Sequence, residues 1–358
     1  MPDTHQRPIA ERIDWLFDLA RRHGQAYRSP EATLARTRYL SKHTTAMVAL
    51  KCMDGRINIP VATQTPTGIV MPFRNLGGIF DLGWPHLGEV LQHHVMGMIG
   101  QGRRVLLLIT YHYAKGDPKR GCAGFHFNKQ AGLDHTWQIR EQVAHIFGDS
   151  HESVYPLVVG FETDEDAITL HSHVNGPTLN LADCLGKDDK TMAFELTALL
   201  PDMPLDMRDD LLPLLMGNLD HIEQVRAQNV RQERLLDIEH REWMICLGRG
   251  FDWLHTPNIA LIIGPYSPNL AHPIQTAAQI IDTNMGASRI PDDGFLLLAS
   301  VPYEHVGVDR ARAELKARFL AGFAAQVIGE QNPELAQKMH VRTAVLDWQS
   351  RRLETLSP

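Results

Sequence analysis

The chain has 358 residues, 44% of them hydrophobic and 22% charged, with a net charge of −7. That length exceeds one ordinary core and predicts two domains, while the acidic balance without any block of like charge excludes a nucleic-acid-binding surface. No apolar run approaches the ~20 residues of a membrane-spanning helix, and the four cysteines, Cys52, Cys122, Cys184 and Cys246, are too few for a disulfide framework.

The polar start Met1–His5 has no export signal, so a reducing cytoplasm is expected, where thiols more often serve metal or catalysis. Ile13, Leu16, Phe17 and Ala20 fall at helical spacing and predict an amphipathic helix over 9–23. Ser29-Pro30 reads as a cap and first-turn proline opening a second helix through Leu40. Met47–Leu50 is a short apolar run that reads as a buried strand. It ends in Lys51-Cys52-Met53-Asp54-Gly55-Arg56-Ile57. A second strand, Gly68–Phe73, leads into Arg74-Asn75-Leu76-Gly77-Gly78. Helical spacing over 85–100 stops at Gly102, and the strand Val105–Ile109 then ends in Thr110-Tyr111-His112. Cys122 follows ten residues later inside Gly121-Cys122-Ala123-Gly124. Another helix is expected over 133–147, and Val154–Phe161 and Ala167–His173 read as paired strands. Strands alternating with helices predict an α/β fold with a mostly parallel sheet.

Past residue 190 the same order returns. A long helix is expected over 205–240, with a break near Gly217. Trp243–Arg249 then resembles the Cys52 segment, and Ala260–Tyr266 echoes Ile69–Phe73. Cys246 lies 194 residues after Cys52, Pro265 lies 193 after Pro72, and Phe295–Ser300 lies 190 after Val105–Thr110. A helix over 308–329 and a strand at Val341–Leu346 close the chain. The expectation is two tandem copies forming an intrachain pseudodimer: N-terminal helices in 1–45, a metal-binding domain in 46–190 and a degenerate copy in 191–358. On these offsets Gly248 stands at Asp54's position and Pro302 at His112's, so the second copy lacks the chemistry.

Ligands of open α/β sheets bind at the carboxyl ends of strands. Cys52, His112 and Cys122, two of them at strand ends, therefore make a candidate zinc site with an open fourth position. About one zinc per chain is expected, because one copy keeps its ligands.

Cys52-Met53-Asp54-Gly55-Arg56 and Arg74-Asn75-Leu76-Gly77 resemble the Cys-x-Asp-x-Arg and Arg-Asn-x-Gly segments of the β-class carbonic anhydrases. The long spacing from His112 to Cys122, the inactive second copy and Gly160–Ile168 are similar to the carboxysomal shell branch of that family. The resemblance implies reversible hydration of carbon dioxide to bicarbonate by zinc-bound hydroxide. Cys52, His112 and Cys122 would hold the metal. Asp54 would accept a hydrogen bond from the hydroxide, and Arg56 would keep Asp54 ionised and fixed. Whether Asp54 or water takes the fourth zinc position stays open. The carboxysomal members carry a long N-terminal extension that this sequence lacks, which favours a cytoplasmic location over a carboxysomal one. Carbon dioxide and bicarbonate are the expected partners, with the pseudodimer pairing again into a homo-oligomer.

Two rival readings accompany this one. A hydrolase of carbonyl sulfide or carbon disulfide could use the same site, and a zinc-stabilised assembly protein would keep the ligands without the dyad. Plainer readings cover the remaining motifs. Arg74–Gly78 reads equally as a tight turn, and His93-His94 faces opposite ways on its helix. His171-Ser172-His173 is expected to be structural, Cys184 and Cys246 to be packed hydrophobes, and Gly248–Gly250 to be too short for a phosphate loop.

Overall fold

The computed structural model describes residues 3–230, 238–251 and 258–357. In the first half, α1 (Ile9–Tyr27) and α2 (Pro30–Lys42) precede β1 (Ala46–Cys52), α3 (Ile59–Ala62) and β2 (Val70–Asn75). Then come α4 (Pro85–Gly100), β3 (Val105–Tyr113), α5 (Lys129–Phe147), β4 (Val154–Glu162), β5 (Ala167–His171) and β6 (Thr178–Asn180). The second half has α6 (Asp189–Leu199), α7 (Leu205–Val230), β7 (Met244–Leu247), β8 (Ala260–Ile263) and α8 (Ala271–Gly286). It closes with β9 (Phe295–Tyr303), α9 (Val308–Gln331), α10 (Pro333–Ala336), β10 (Met339–Asp347) and β11 (Arg352–Thr355).

Local chemistry sets several of these boundaries. Ser29 Oγ accepts the Ala32 N–H at 3.1 Å with Pro30 in the first turn of α2, as the sequence predicts. Asn128 caps α5 in the same way, accepting from Ala131 at 3.1 Å. The break expected at Gly217 is absent, because α7 continues through it. That glycine instead lets the helix approach the Thr63 carbonyl, which a Cβ would meet at 2.1 Å. The expected helix reaches residue 240; α7 ends at Val230, and 231–237 lie outside the described residues.

Two sheets repeat one plan. Their strand orders are β2-β1-β3-β4-β5-β6 and β8-β7-β9-β10-β11. In each, the first four strands are parallel and the fifth is antiparallel. The fold is therefore α/β with two similar halves, as the repeat in the sequence implied. The sheets meet where β2 runs beside β8: Ile262 N–H donates to Met53 O at 2.7 Å and Gly264 N–H to Arg74 O at 2.9 Å.

The halves also exchange helices. From the first half, α1 lies on the second sheet, where Arg12 pairs with Asp293 and donates to Gly294 O at 3.2 Å. From the second half, α7 lies on the first, and its fully buried Asn218 ties Ala62 O, Asp166 O and the Ile168 N–H at 2.8–3.0 Å. A hydrophobic core runs continuously from Ile9 and Leu16 through Met53 and Leu261 to Ala344.

The ladders correct one alignment. Strands β3 and β9 correspond residue for residue, each paired along all nine positions with β4 or β10. In that frame Leu108 neighbours Ala49, whereas the equivalent Leu298 neighbours Cys246. Cys246 therefore answers to Ala49, not to Cys52, and Ile262 rather than Pro265 answers to Pro72. Counting onward, Arg249 and Phe251 fall at the positions of Cys52 and Asp54, in place of Cys246 and Gly248. Strands buried on both faces read as continuous apolar runs without alternation, so sequence carries little information about their register. Pro302 does occupy His112's rung, opposite Leu346 as His112 is opposite Phe161.

Three histidines give the fold a pH dependence. Burial first, then nearby cations, push His5, His94 and His171 down to about 4 from 6.5. Their folded-state affinity for protons is below the unfolded one. The stability tied to their neutrality is thus full above pH 6.5 and is lost as pH falls toward 4. Urea midpoints should drop across that window. The slope should become shallower in His171→Gln, which removes a ring bonded to the Tyr111 hydroxyl at 2.9 Å.

Candidate metal centre

Residue Cys52 is the last of β1, His112 the last but one of β3, and Cys122 caps a short turn of 3-10 helix at Ala123–Phe125. Adjacent parallel strands set the first two side by side. The third arrives by a loop held from outside. Buried Glu162 accepts the backbone N–H groups of Lys115, Asp164 and Glu165 at 2.8–3.2 Å. Asp164 accepts from Gly116 at 2.6 Å and pairs with Arg120 at 3.3 Å. The Gly160–Ile168 segment thus fastens the long His112-to-Cys122 connection to the sheet. Gly124 then lies against Gly77, whose Cα would be 2.7 Å from any Cβ added there. Gly124 is required by that contact, and Gly77 by its φ of 67°.

One donor atom from each of Cys52, His112 and Cys122 lies within 4.8 Å of the others, and all three side chains are buried. Both ring nitrogens of His112 are buried and, among the described residues, have no hydrogen-bond partner. Buried polar atoms without partners are rare, and a metal ion satisfies one of these while the sulfurs complete a Cys2His donor set. The residues present therefore fit zinc. Burial pushes the Cys52 thiol up. The hydrogen bond from Cys122 and the charge of His112 outweigh it and bring Cys52 well below the ordinary thiol range. Cys122, donating to Cys52 and also buried, is held well above it, although the Gly124 N–H works the other way.

Asp54 stands outside that trio. Arg56 Nε donates to its two oxygens at 3.1 and 3.2 Å, Arg56 Nη2 to Oδ2 at 2.6 Å, and the Arg56 backbone N–H to Oδ1 at 2.9 Å. Burial raises the Asp54 pKa, but the facing guanidinium more than reverses this and holds the carboxyl ionised, far below its usual range. The same attraction lifts Arg56 further above its own ordinary value despite burial. Beneath the pair, Arg74 donates to Asp54 O at 2.9 Å and to Ile57 O at 3.2 Å, so Arg74–Gly78 is a brace for the turn rather than a turn alone.

Reading the sequence missed what the second half contributes. Arg56 also donates to Ile238 O at 2.9 Å and reaches His240 Nε2 at 3.0 Å. On its other side His240 Nδ1 meets Glu242 at 2.9 Å, and fully buried Glu242 accepts from Asn284 at 3.1 Å. A guanidinium N–H can only donate, so Nε2 is the accepting ring atom toward Arg56 and Nδ1 is the one that faces Glu242. Asp54, His240 and Glu242 form a second cluster of metal-type donors, but the Arg56 guanidinium already bonds two of its members. A cleft of about 600 Å3, lined by Leu76, Ala123, Gly124, Phe127 and His240 among others, opens beside the Cys122 turn. A larger cleft of about 1050 Å3 lies between α1 and β10–β11 and includes none of these site residues.

The plainer motifs stay apart from the centre. His94 packs edge-on near Phe73 at 6.4 Å. His171 is buried against Tyr111 and Trp137, while exposed His173 bonds the Val174 carbonyl at 3.1 Å. Cys184 and Cys246 are buried, and Arg249 stacks on Phe73 and Trp348 at 5.2 and 5.5 Å instead of serving a phosphate loop.

An α/β half with a Cys2His cluster beside an Asp–Arg pair is what the resemblance to the β-class carbonic anhydrases leads one to expect. Residues 35–189 match the sequence family described as Carboxysome Shell Carbonic Anhydrase, catalytic domain. The chain is 25% identical over 236 residues to the carboxysome shell carbonic anhydrase of Prochlorococcus marinus, a match covering 58% of this chain and 45% of that protein. It is 27% identical over 252 residues to that of Halothiobacillus neapolitanus (58% and 48%), and 28% over 244 residues to that of Parasynechococcus marenigrum (58% and 40%). The chain thus resembles the carboxysomal shell branch, and the matched stretch is less than half the length of these relatives.

Proposed function

We propose that the protein is a zinc-dependent carbonic anhydrase, interconverting carbon dioxide and bicarbonate at the Cys52–His112–Cys122 centre. The observation that carries this reading is the buried Asp54–Arg56 pair beside a Cys2His cluster whose histidine has no other partner among the described residues. A structural zinc needs four ligands and no such pair. When bound, zinc would supply a Lewis acid that acidifies water toward neutral pH. Two thiolates would cancel its formal charge, so the surroundings must help. Asp54, stripped of its proton by Arg56, accepts a hydrogen bond from the attacking water and aims its lone pair at the carbon. Both Asp54 carboxylate oxygens already accept from Arg56, so Asp54 would serve as the orienting acceptor rather than as a metal ligand. The comparisons support the activity through the names of the relatives. We divide the chain as the repeat suggests, into helices 1–45, a catalytic part 46–190 and a second copy 191–358.

Within this reading the second copy is a positioning partner, through His240. His240→Ala should lower kcat between roughly 10- and 100-fold, the scale of a small misplacement of the Arg56 fork, with zinc content unchanged. His240→Gln, which can still accept from Arg56, should recover part of the loss. Equal kcat in all three proteins would remove His240 from the account.

A steady-state assay of zinc-loaded protein with carbon dioxide, carbonyl sulfide and carbon disulfide tests the substrate. Turnover of carbon dioxide is expected. Turnover of only the sulfur compounds would make it their hydrolase, and no turnover would favour the assembly protein. For location the relatives' names support association with a carboxysome; co-sedimentation with purified carboxysomes is expected, and its absence would return the protein to the cytoplasm.

A further inference from the structure

Helix α9 has two unlike faces. Toward the second sheet it buries Ala313, Ala317, Leu320, Ala324 and Ile328 at helical spacing. Its opposite face carries Val308, Leu315 and Phe319 at 80%, 70% and 69% exposure, with half-buried Phe323 one turn further on. Single exposed apolar side chains are ordinary on a surface, but a contiguous stripe marks an interaction site. The Phe319 and Phe323 rings stack on each other 6.3 Å apart, their planes inclined by 15°. Between them stands Gly322, where an added Cβ would meet nothing within 4 Å. Glycine weakens a helix interior, and among the described residues nothing packs close enough to require it here. The result is an apolar knob with a hollow beside it.

The charges on the same face point to the occupant. Arg312 and Lys316, one turn apart, form no ion pair among the described residues. The neighbouring acids are engaged elsewhere: Glu314 with Arg310 and Arg318, and Glu354 with Arg310. Asp309 feels the charge of Arg312 but accepts the Glu304 and His305 backbone N–H groups at 2.7 and 3.2 Å. At the other end Glu330 stands in the last turn, where the helix dipole disfavours an acid and no basic residue offsets it. It accepts from the Gln326 amide at 2.8 Å, which brings no positive charge. About five helical turns separate Arg312 from Glu330, so the two share one face. They lie nine residues on either side of Ala321, and Phe319 and Phe323 lie two on either side. Residues placed evenly about one point are self-complementary when the same helix is laid against them antiparallel.

We propose that α9 is a self-association surface, on which a second copy of the chain lays its own α9 antiparallel about a two-fold axis level with Ala321. Phe319 of each copy then meets Phe323 of the other and the hollow at Gly322. Arg312 of each faces Glu330 of the other, so the ion pair forms twice. Lys316 adds to the positive charge on that side. One helix pair buries less than a permanent dimer does, so the association is weak and follows concentration. The inference gives the homo-oligomer expected from the sequence a surface, and it does not rest on the metal reading.

Sedimentation velocity of the full chain over a concentration series tests it. The sedimentation coefficient should rise from the monomer value toward that of a dimer. Phe319→Glu should keep the chain monomeric, while Phe194→Glu, at an exposed position on α6, should dimerise as wild type does. Arg312→Glu and Glu330→Arg should each weaken the dimer roughly ten-fold or more, because like charges then meet twice. Combining the two exchanges should restore affinity to within about three-fold of wild type. A wild-type chain that stays monomeric throughout overturns the proposal. So does a dimer that Phe319→Glu leaves intact, or a double variant no tighter than either single one. If Phe319→Glu does not fold, the charge exchange decides.

Discussion

Asp54→Asn should lower kcat/KM for carbon dioxide hydration by roughly 10²- to 10⁴-fold while zinc content and fold are kept. The substitution preserves shape and the acceptor oxygen but removes the charge that Arg56 holds in place. Three carbonyl or ring acceptors remain for the guanidinium: Ile238 O, Arg120 O at 2.8 Å and His240 Nε2. Arg56 therefore stays partnered, and the loss reports on orientation of the attacking water rather than on unfolding. Stopped-flow hydration beside metal analysis of the same sample measures it. An Asp54→Asn protein with wild-type turnover would end the dyad assignment, whatever the metal content.

The second large effect concerns the metal itself. Purified protein should hold about one zinc per chain, and Cys122→Ser close to none, because a deprotonated sulfur is replaced by a weak hydroxyl ligand. Among the described residues the other cluster of metal-type donors, Asp54, His240 and Glu242, is already bonded by Arg56, and no cluster lies wholly in the second half. Two zinc ions per chain would therefore contradict the account of a degenerate copy. Removing the ion with a chelator should lower the melting temperature, since it leaves two buried thiols and an imidazole without their common partner. A chelator-treated protein that melts unchanged would argue that the trio holds no metal.

The second copy still has work within this picture. Its own ligand positions are filled by Arg249 and Pro302, neither able to bind zinc. Its strand β8 nevertheless pairs with Met53, and His240 and Ile238 complete the bonding of Arg56. Loss of a site in one half is compatible with retention of the half, because the remaining site is built partly from it.

Much of this was legible in the residues. The alternation of apolar runs with helical spacing determined an α/β fold, and similar offsets between the halves determined the repeat. Cys52, Asp54 and Arg56 announced themselves because three chemically distinct side chains sit together at a strand end. Some elements could have been read and were not: α8 buries Ile274, Ala277, Ala278, Ile281 and Met285 at plain helical spacing. Other features had no sequence signal. Register within strands buried on both faces is set by neighbours, so only the ladders moved Cys246 from Cys52's place to Ala49's. The exchange of α1 and α7 between sheets, and the passage of His240 to Arg56 across 184 residues, are long-range contacts that no local pattern encodes. By itself the sequence determined which groups could do chemistry. The tertiary structure decided which of them meet, because proximity between distant residues is set by packing of whole elements rather than by spacing along the chain.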